Sequence, residues 1–111
     1  MTHLLKKLLA SSLFLLAGTA FADDIAAVNL VISQHRFQPA EITVPANTKV
    51  KLVIDNQDNT AEEFESHALN REKVIPANKT GVIFIGPLKP GKYEFFGEFH
   101  PSTAKGTVIV K

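Results

Sequence analysis

Residues 91–111, GKYEFFGEFHPSTAKGTVIVK, read as two strands around a loop. In the first half Tyr93, Phe95, Gly97 and Phe99 alternate with Glu94, Phe96 and Glu98. That is the two-residue period of a strand with unlike faces. In the second half Gly106 opens the β-branched run Thr107-Val108-Ile109-Val110, composition that suits a pleated surface. The loop between them carries His100-Pro101 and contains neither cysteine nor methionine.

The same period extends back along the chain. Val28, Leu30 and Ile32 share a face within 26–34, and Ile42 and Val44 within 40–46. Within 48–56, Val50, Leu52 and Ile54 oppose Lys49 and Lys51. Residues 80–87, TGVIFIGP, form a nearly continuous apolar run. Turn signals stand between the runs at 45–47, 55–59, 76–78 and 87–91. Segment 61–75, AEEFESHALNREKVI, is the ambiguous one: it holds good helix formers, yet Glu63, Glu65 and His67 alternate with Phe64 and Ser66. We read a short strand at 62–66, then a loop with a helical turn near 69–72. His35 falls in a surface turn. The whole predicts an all-β antiparallel Greek-key sandwich of about seven to eight strands.

The first 24 residues, MTHLLKKLLASSLFLLAGTAFADD, have another character. Lys6 and Lys7 precede a short, mostly apolar run from Leu8 to Ala17, and Ala20-Phe21-Ala22 is a small-x-small cleavage site. This layout predicts a secretory signal peptide over 1–22, cut after Ala22. The apolar run is far below the roughly 20 residues that span a bilayer, so no direct membrane insertion is expected. The mature domain, 23–111, is then expected to be periplasmic. It keeps ten basic residues against 11 acidic ones, a net charge near −1, because Lys6 and Lys7 leave with the signal. Interspersed, near-neutral charge gives no case for nucleic-acid binding. Met1 also leaves, and the chain has no Cys, so the mature domain carries no sulfur and no disulfide.

At this point a resemblance emerges. HRFQPAEITVPANTKVKLVIDNQD (35–58), followed by PLKPGKYEFFGEFH and GTVIV, resembles a cupredoxin over essentially the whole mature chain. More narrowly, AEEFES with PLKPGKYEFFGEFHPSTAKG is similar to the cupredoxin-like domains of EfeO-type and Ftr-type periplasmic ferrous iron uptake systems. The resemblance implies that a blue-copper Cys position falls on Gly97, its Met position on Ala104 or Lys105, and its two His positions on Glu62 and His100. One of four ligands remains, so a type 1 copper electron carrier is excluded. The soft thiolate and thioether that such a centre requires are missing.

The resemblance therefore implies a carboxylate–imidazole site of Glu62 and His100. Glu63 and Glu98 lie beside it on the opposite pleat, and Phe96, Phe99 and Pro101 form an apolar rim. Iron or Cu(II) suits such ligands. Implied partners are a metal ion, a periplasmic iron-binding protein and an inner-membrane iron permease. His35 and His67, each standing alone, read as surface histidines, although Glu65 and His67 could clip an ion weakly. Ser66 and Ser102 lack a partner base, and no phosphate-binding loop is present. No enzyme is indicated beyond an accessory part in Fe(II) oxidation. The alternative function is a metal-free interaction module that docks a partner around His100.

Overall fold

The computed structural model describes residues 25–111. The expected signal peptide lies outside the described residues. Nine strands are found: β1 Ala26–Ser33, β2 Arg36–Gln38, β3 Glu41–Val44, β4 Val50–Asn56, β5 Glu62–Ser66, β6 Arg71–Ile75, β7 Thr80–Ile85, β8 Gly91–Gly97 and β9 Lys105–Val110. They form a four-stranded sheet in the order β2-β1-β4-β7 and a five-stranded sheet in the order β3-β9-β8-β5-β6. No helix occurs among the described residues.

The period-two pattern builds the core. In β4, Val50, Leu52, Ile54 and Asn56 are buried and the residues between them are half-exposed. Leu30, Ile32, Phe37, Ile83 and Ile85 extend this inner face across the first sheet. Ile42, Val44, Phe64, Ile75, Phe95, Val108 and Val110 face them from the second. Phe37, Phe64 and Phe95 meet at the centre, with Phe64 and Phe95 stacked at 5.0 Å and Phe37 edge-on to both. Such aromatic pairs add to what area burial alone contributes.

Two expectations are corrected. First, the sandwich is mixed rather than antiparallel: β1 pairs parallel with β4, and β3 parallel with β9. Between β1 and β4 the chain crosses to the other sheet as β3, so it returns in the same direction instead of through a hairpin. Second, 69–72 forms no helical turn. Residues 67–70 make a turn, Asn70 adopts φ 54°, and β6 then pairs antiparallel with β5 from Ser66↔Arg71 to Glu62↔Ile75. Pairing and the full burial of Ile75 override the helix propensity of Arg71-Glu72-Lys73. The turn expected at His35 is present, as the two-residue loop Gln34-His35 of a hairpin between β1 and β2. With β2 and β6 the strands number nine, above the expected seven to eight.

Candidate functional site

The alternation of β5 turns Glu62, Phe64 and Ser66 inward. Glu62 is therefore a carboxylate at the edge of an apolar core, 1 % exposed. An unpartnered charge there would be very costly, and both of its oxygens are engaged. Oε1 accepts from the Glu63 N–H at 2.9 Å and from the Phe99 N–H at 2.8 Å. Oε2 lies 2.6 Å from His100 Nδ1. A carboxylate oxygen can only accept, so the imidazole donates through Nδ1–H, and the bond is of the short charge-assisted kind.

His100 sits in a compact loop that starts where β8 ends. The Gly97 N–H donates to the Ala104 carbonyl at 2.8 Å, and the Ala104 N–H to the His100 carbonyl at 2.9 Å. A Cβ on Gly97 would lie 2.6 Å from Glu62 Cδ and 2.7 Å from the Ala104 Cβ. The glycine is thus what admits the Glu62 carboxylate. Because β8 stops at Gly97, the alternation expected to run through Phe99 breaks there, and Phe99 is 48 % exposed.

A second histidine enters from the other sheet. The His35 ring stacks on His100, with centroids 3.6 Å apart and planes inclined by 13°. Gln34 and His35 both adopt left-handed backbone, φ 54° and 57°, an unfavourable region for residues with a side chain. Asp58 holds the turn: its carboxylate accepts the Gln34 N–H at 2.8 Å and the His35 N–H at 3.0 Å. His35 Nδ1 is 3.5 Å from Asp58 Oδ2. Thr103 Oγ1 donates to the His35 carbonyl at 2.6 Å, which ties this turn to the His100 loop. Buried Asn56 sets the β4–β5 connection. Its Nδ2 donates to the carbonyls of Thr60, Ile75 and Pro76, and its Oδ1 accepts the Asp58 N–H.

Glu62 and His100 thus come together at one end of the sandwich. Glu63 and Glu98 sit beside them but face outward, joined through the Glu98 N–H and the Glu63 carbonyl at 2.9 Å. The outer carboxylates belong to a different grouping. Glu63, Glu65 and Glu72 each place an oxygen within 4.8 Å of the others, because the register sets Glu65 directly opposite Glu72. The Glu65 carboxyl is raised above its ordinary range, by desolvation first and then by the charges of Glu72, Glu63 and Glu98. His67 follows the far end of β5, about 16 Å of strand from Glu62, and packs its ring against Phe96. Ser66 is structural: its hydroxyl donates to the Glu94 carbonyl and accepts the Leu69 N–H. Sequence reasoning missed the stacking of His35 and the anchoring role of Asp58. A Gln-His pair carries none of the Asn-Gly signature of such a loop.

Comparison with known proteins decides the family. The model of the cupredoxin-like domain matches residues 7–110. The chain belongs to the cupredoxin-like domain family. A relative in Rickettsia prowazekii (strain Madrid E), the uncharacterized protein RP394, is 50 % identical over 88 residues, which are 79 % of this chain and 70 % of that one. Two solved structures share the fold at low identity. One is the metal-binding domain of the Streptococcus pneumoniae Cu(I)-exporting P-type ATPase CopA with Cu(I), 16 % identical, TM-score 0.71, covering 83 % of this chain and 91 % of that one. The other is auracyanin A, a "blue" copper protein from Chloroflexus aurantiacus, 13 % identical, TM-score 0.69, covering 79 % and 100 %.

This cupredoxin-like domain does not fit a type 1 copper ion. Residues 25–111 contain no sulfur, and the space a side chain at 97 would need is filled by the Glu62 carboxylate. A borderline ion that prefers imidazole fits better. His100 spends Nδ1 on Glu62, and no hydrogen bond among the described residues uses its Nε2. Its side chain is 28 % exposed.

Proposed function

We propose that this protein is a periplasmic metal-handling cupredoxin-like protein of a ferrous iron uptake system, binding iron or Cu(II) at the His100 end. The hydrogen bond from His100 Nδ1 to the buried Glu62 carboxylate supports this reading. A carboxylate behind one ring nitrogen fixes the tautomer, raises the basicity of the other nitrogen and aims it at an ion. In this reading Nε2 of His100 is the ligand. Glu62, with both oxygens committed to N–H groups, orients it instead of touching the ion. The outward acids Glu63, Glu65, Glu72 and Glu98 raise the local concentration of cations at the adjoining surface.

The chemistry of the relatives points the same way. One structural neighbour carries Cu(I) and another is a blue copper protein. Replacement of sulfur by carboxylate and imidazole moves the preference toward harder ions. The iron uptake role rests on the likeness of AEEFES and PLKPGKYEFFGEFHPSTAKG to the domains of those systems. It would place the protein between a periplasmic iron-binding partner and an inner-membrane permease. A metal held at His100 would serve in ligand exchange, and Cu(II) bound there would take one electron from Fe(II), leaving Cu(I) and Fe(III).

Elemental analysis after anaerobic Fe(II) loading and aerobic Cu(II) loading tests the reading. The parent is expected to retain close to one ion, and His100→Ala to lose it. A parent that retains neither ion, with a thermal midpoint that no candidate ion moves, would reject metal handling. It would favour the metal-free docking module, which the full internal satisfaction of Glu62 also accommodates.

A further inference from the structure

We infer that His35 is the second ligand of this site, so that one divalent first-row ion is held by the Nε2 atoms of His35 and His100 together; this rests on the metal-handling reading above. Both imidazoles set Nδ1 toward a carboxylate, but unequally: His100 is hydrogen-bonded to Glu62 at 2.6 Å, whereas His35 stands 3.5 Å from Asp58, within ion-pair range and without a hydrogen bond. No hydrogen bond among the described residues uses Nε2 of either ring. The rings stack at 3.6 Å, the Nδ1 bond of His100 leaves the lone pair on its Nε2, and neither ring nitrogen of His35 is engaged in a hydrogen bond among the described residues. The backbone that carries them is fixed by the Asp58 carboxylate and the Thr103 hydroxyl.

The geometry also says how the pair must move. A metal–imidazole bond is about 2.0–2.1 Å long and lies close to the ring plane. Nearly parallel rings 3.6 Å apart cannot both point at one ion. One ring must swing, and the holding groups select which. His100 is locked to a buried carboxylate, whereas the His35 side chain is 43 % exposed and only loosely approached by Asp58. His35 is therefore the ring that would turn about its side-chain torsions toward an ion at His100.

The test uses the purified protein with Cu(II) and, separately, with diamagnetic Zn(II). Long-range ¹H–¹⁵N correlation spectra should show the Nε2 resonances of His35 and His100 shifting together on Zn(II) addition, with the Nδ1 resonance of His100 moving little. Titration with Cu(II) should show His35→Ala weakening binding at least tenfold and His35→Gln doing the same. Both variants should keep the thermal midpoint of the metal-free parent within a few degrees. Loss of binding in His100→Ala together with parent-like binding in His35→Ala would overturn the assignment of His35 and leave the metal-handling reading standing. Absence of binding in the parent would remove both.

Discussion

The side chain that Gly97 lacks and the carboxylate of Glu62 compete for the same space. A Cβ at 97 would stand 2.6 Å from Glu62 Cδ and 2.7 Å from Oε2. The resemblance drawn from the sequence would set a thiolate at the first position and an imidazole at the second. Here the change at one makes room for the change at the other, so the pair is coupled by sterics as well as by chemistry.

That coupling is measurable. Gly97→Ala should destabilise the protein by about 2 kcal/mol, the usual cost of forcing a methyl into a filled interior. In a Glu62→Ala background the added cost should be smaller, leaving only the Ala104 contact. Urea denaturation of the two single variants and the double variant gives the interaction energy. Strict additivity would show that the two sites do not share space.

The turn under His35 should depend on Asp58. Removing its carboxylate frees the Gln34 and His35 N–H groups. Asp58→Ala should cost about 2 kcal/mol, since hydrogen bonds to a charged group contribute about 1.5–3 kcal/mol each way of counting. Gln34→Gly should stabilise by about 0.5–1 kcal/mol, because φ 54° costs nothing to glycine. Both are read from chemical denaturation at neutral pH.

Ile75 separates the observed strand from a loop. At 0 % exposure in β6 it closes the core against β5. Ile75→Ala should cost about 2–5 kcal/mol. A loss below about 1 kcal/mol, as surface sites give, would mean that the segment after Asn70 is not packed.

Glu65 should make stability fall as pH rises through the upper carboxylate range. Its folded carboxyl is raised, through desolvation and then Glu72, Glu63 and Glu98. Between the ordinary unfolded value of 4.5 and the raised folded one, the native state holds more proton than the unfolded state. Stability therefore grows as pH falls through that window. Glu65→Gln should raise the thermal midpoint slightly at pH 7, and the gain should shrink toward zero below pH 4.5. The group is half-exposed, so salt should reduce the effect. An equal gain at all pH values would point to packing instead of charge.

Much of the fold was legible because its code is local. The alternations around Leu30, Leu52 and Phe95 each assign a buried face without reference to any partner strand; the apolar run 80–85 assigns none, and only packing exposes Val82 and Phe84 while burying Ile83 and Ile85. The turns at 45–47 and 76–78 are likewise written in Pro, Ala and Asn. The strand β6 was not legible. Arg71-Glu72-Lys73 favours a helix by itself, and only pairing with β5 and the burial of Ile75 reverse that preference.

Residue identity by itself determined the absence of sulfur from residues 25–111 and the all-β character; the family likeness, not the residues alone, implied the meeting of Glu62 with His100 that the structure shows. Tertiary structure alone decided three further matters. It committed both Glu62 oxygens to N–H donors, it brought His35 across from the other sheet to stack on His100, and it set Glu63, Glu65 and Glu72 together on the outer face. The physical reason is one of range. Strand periodicity is set by neighbours two residues apart, whereas His35 and His100, separated by 65 positions, are joined only when two sheets close over one core.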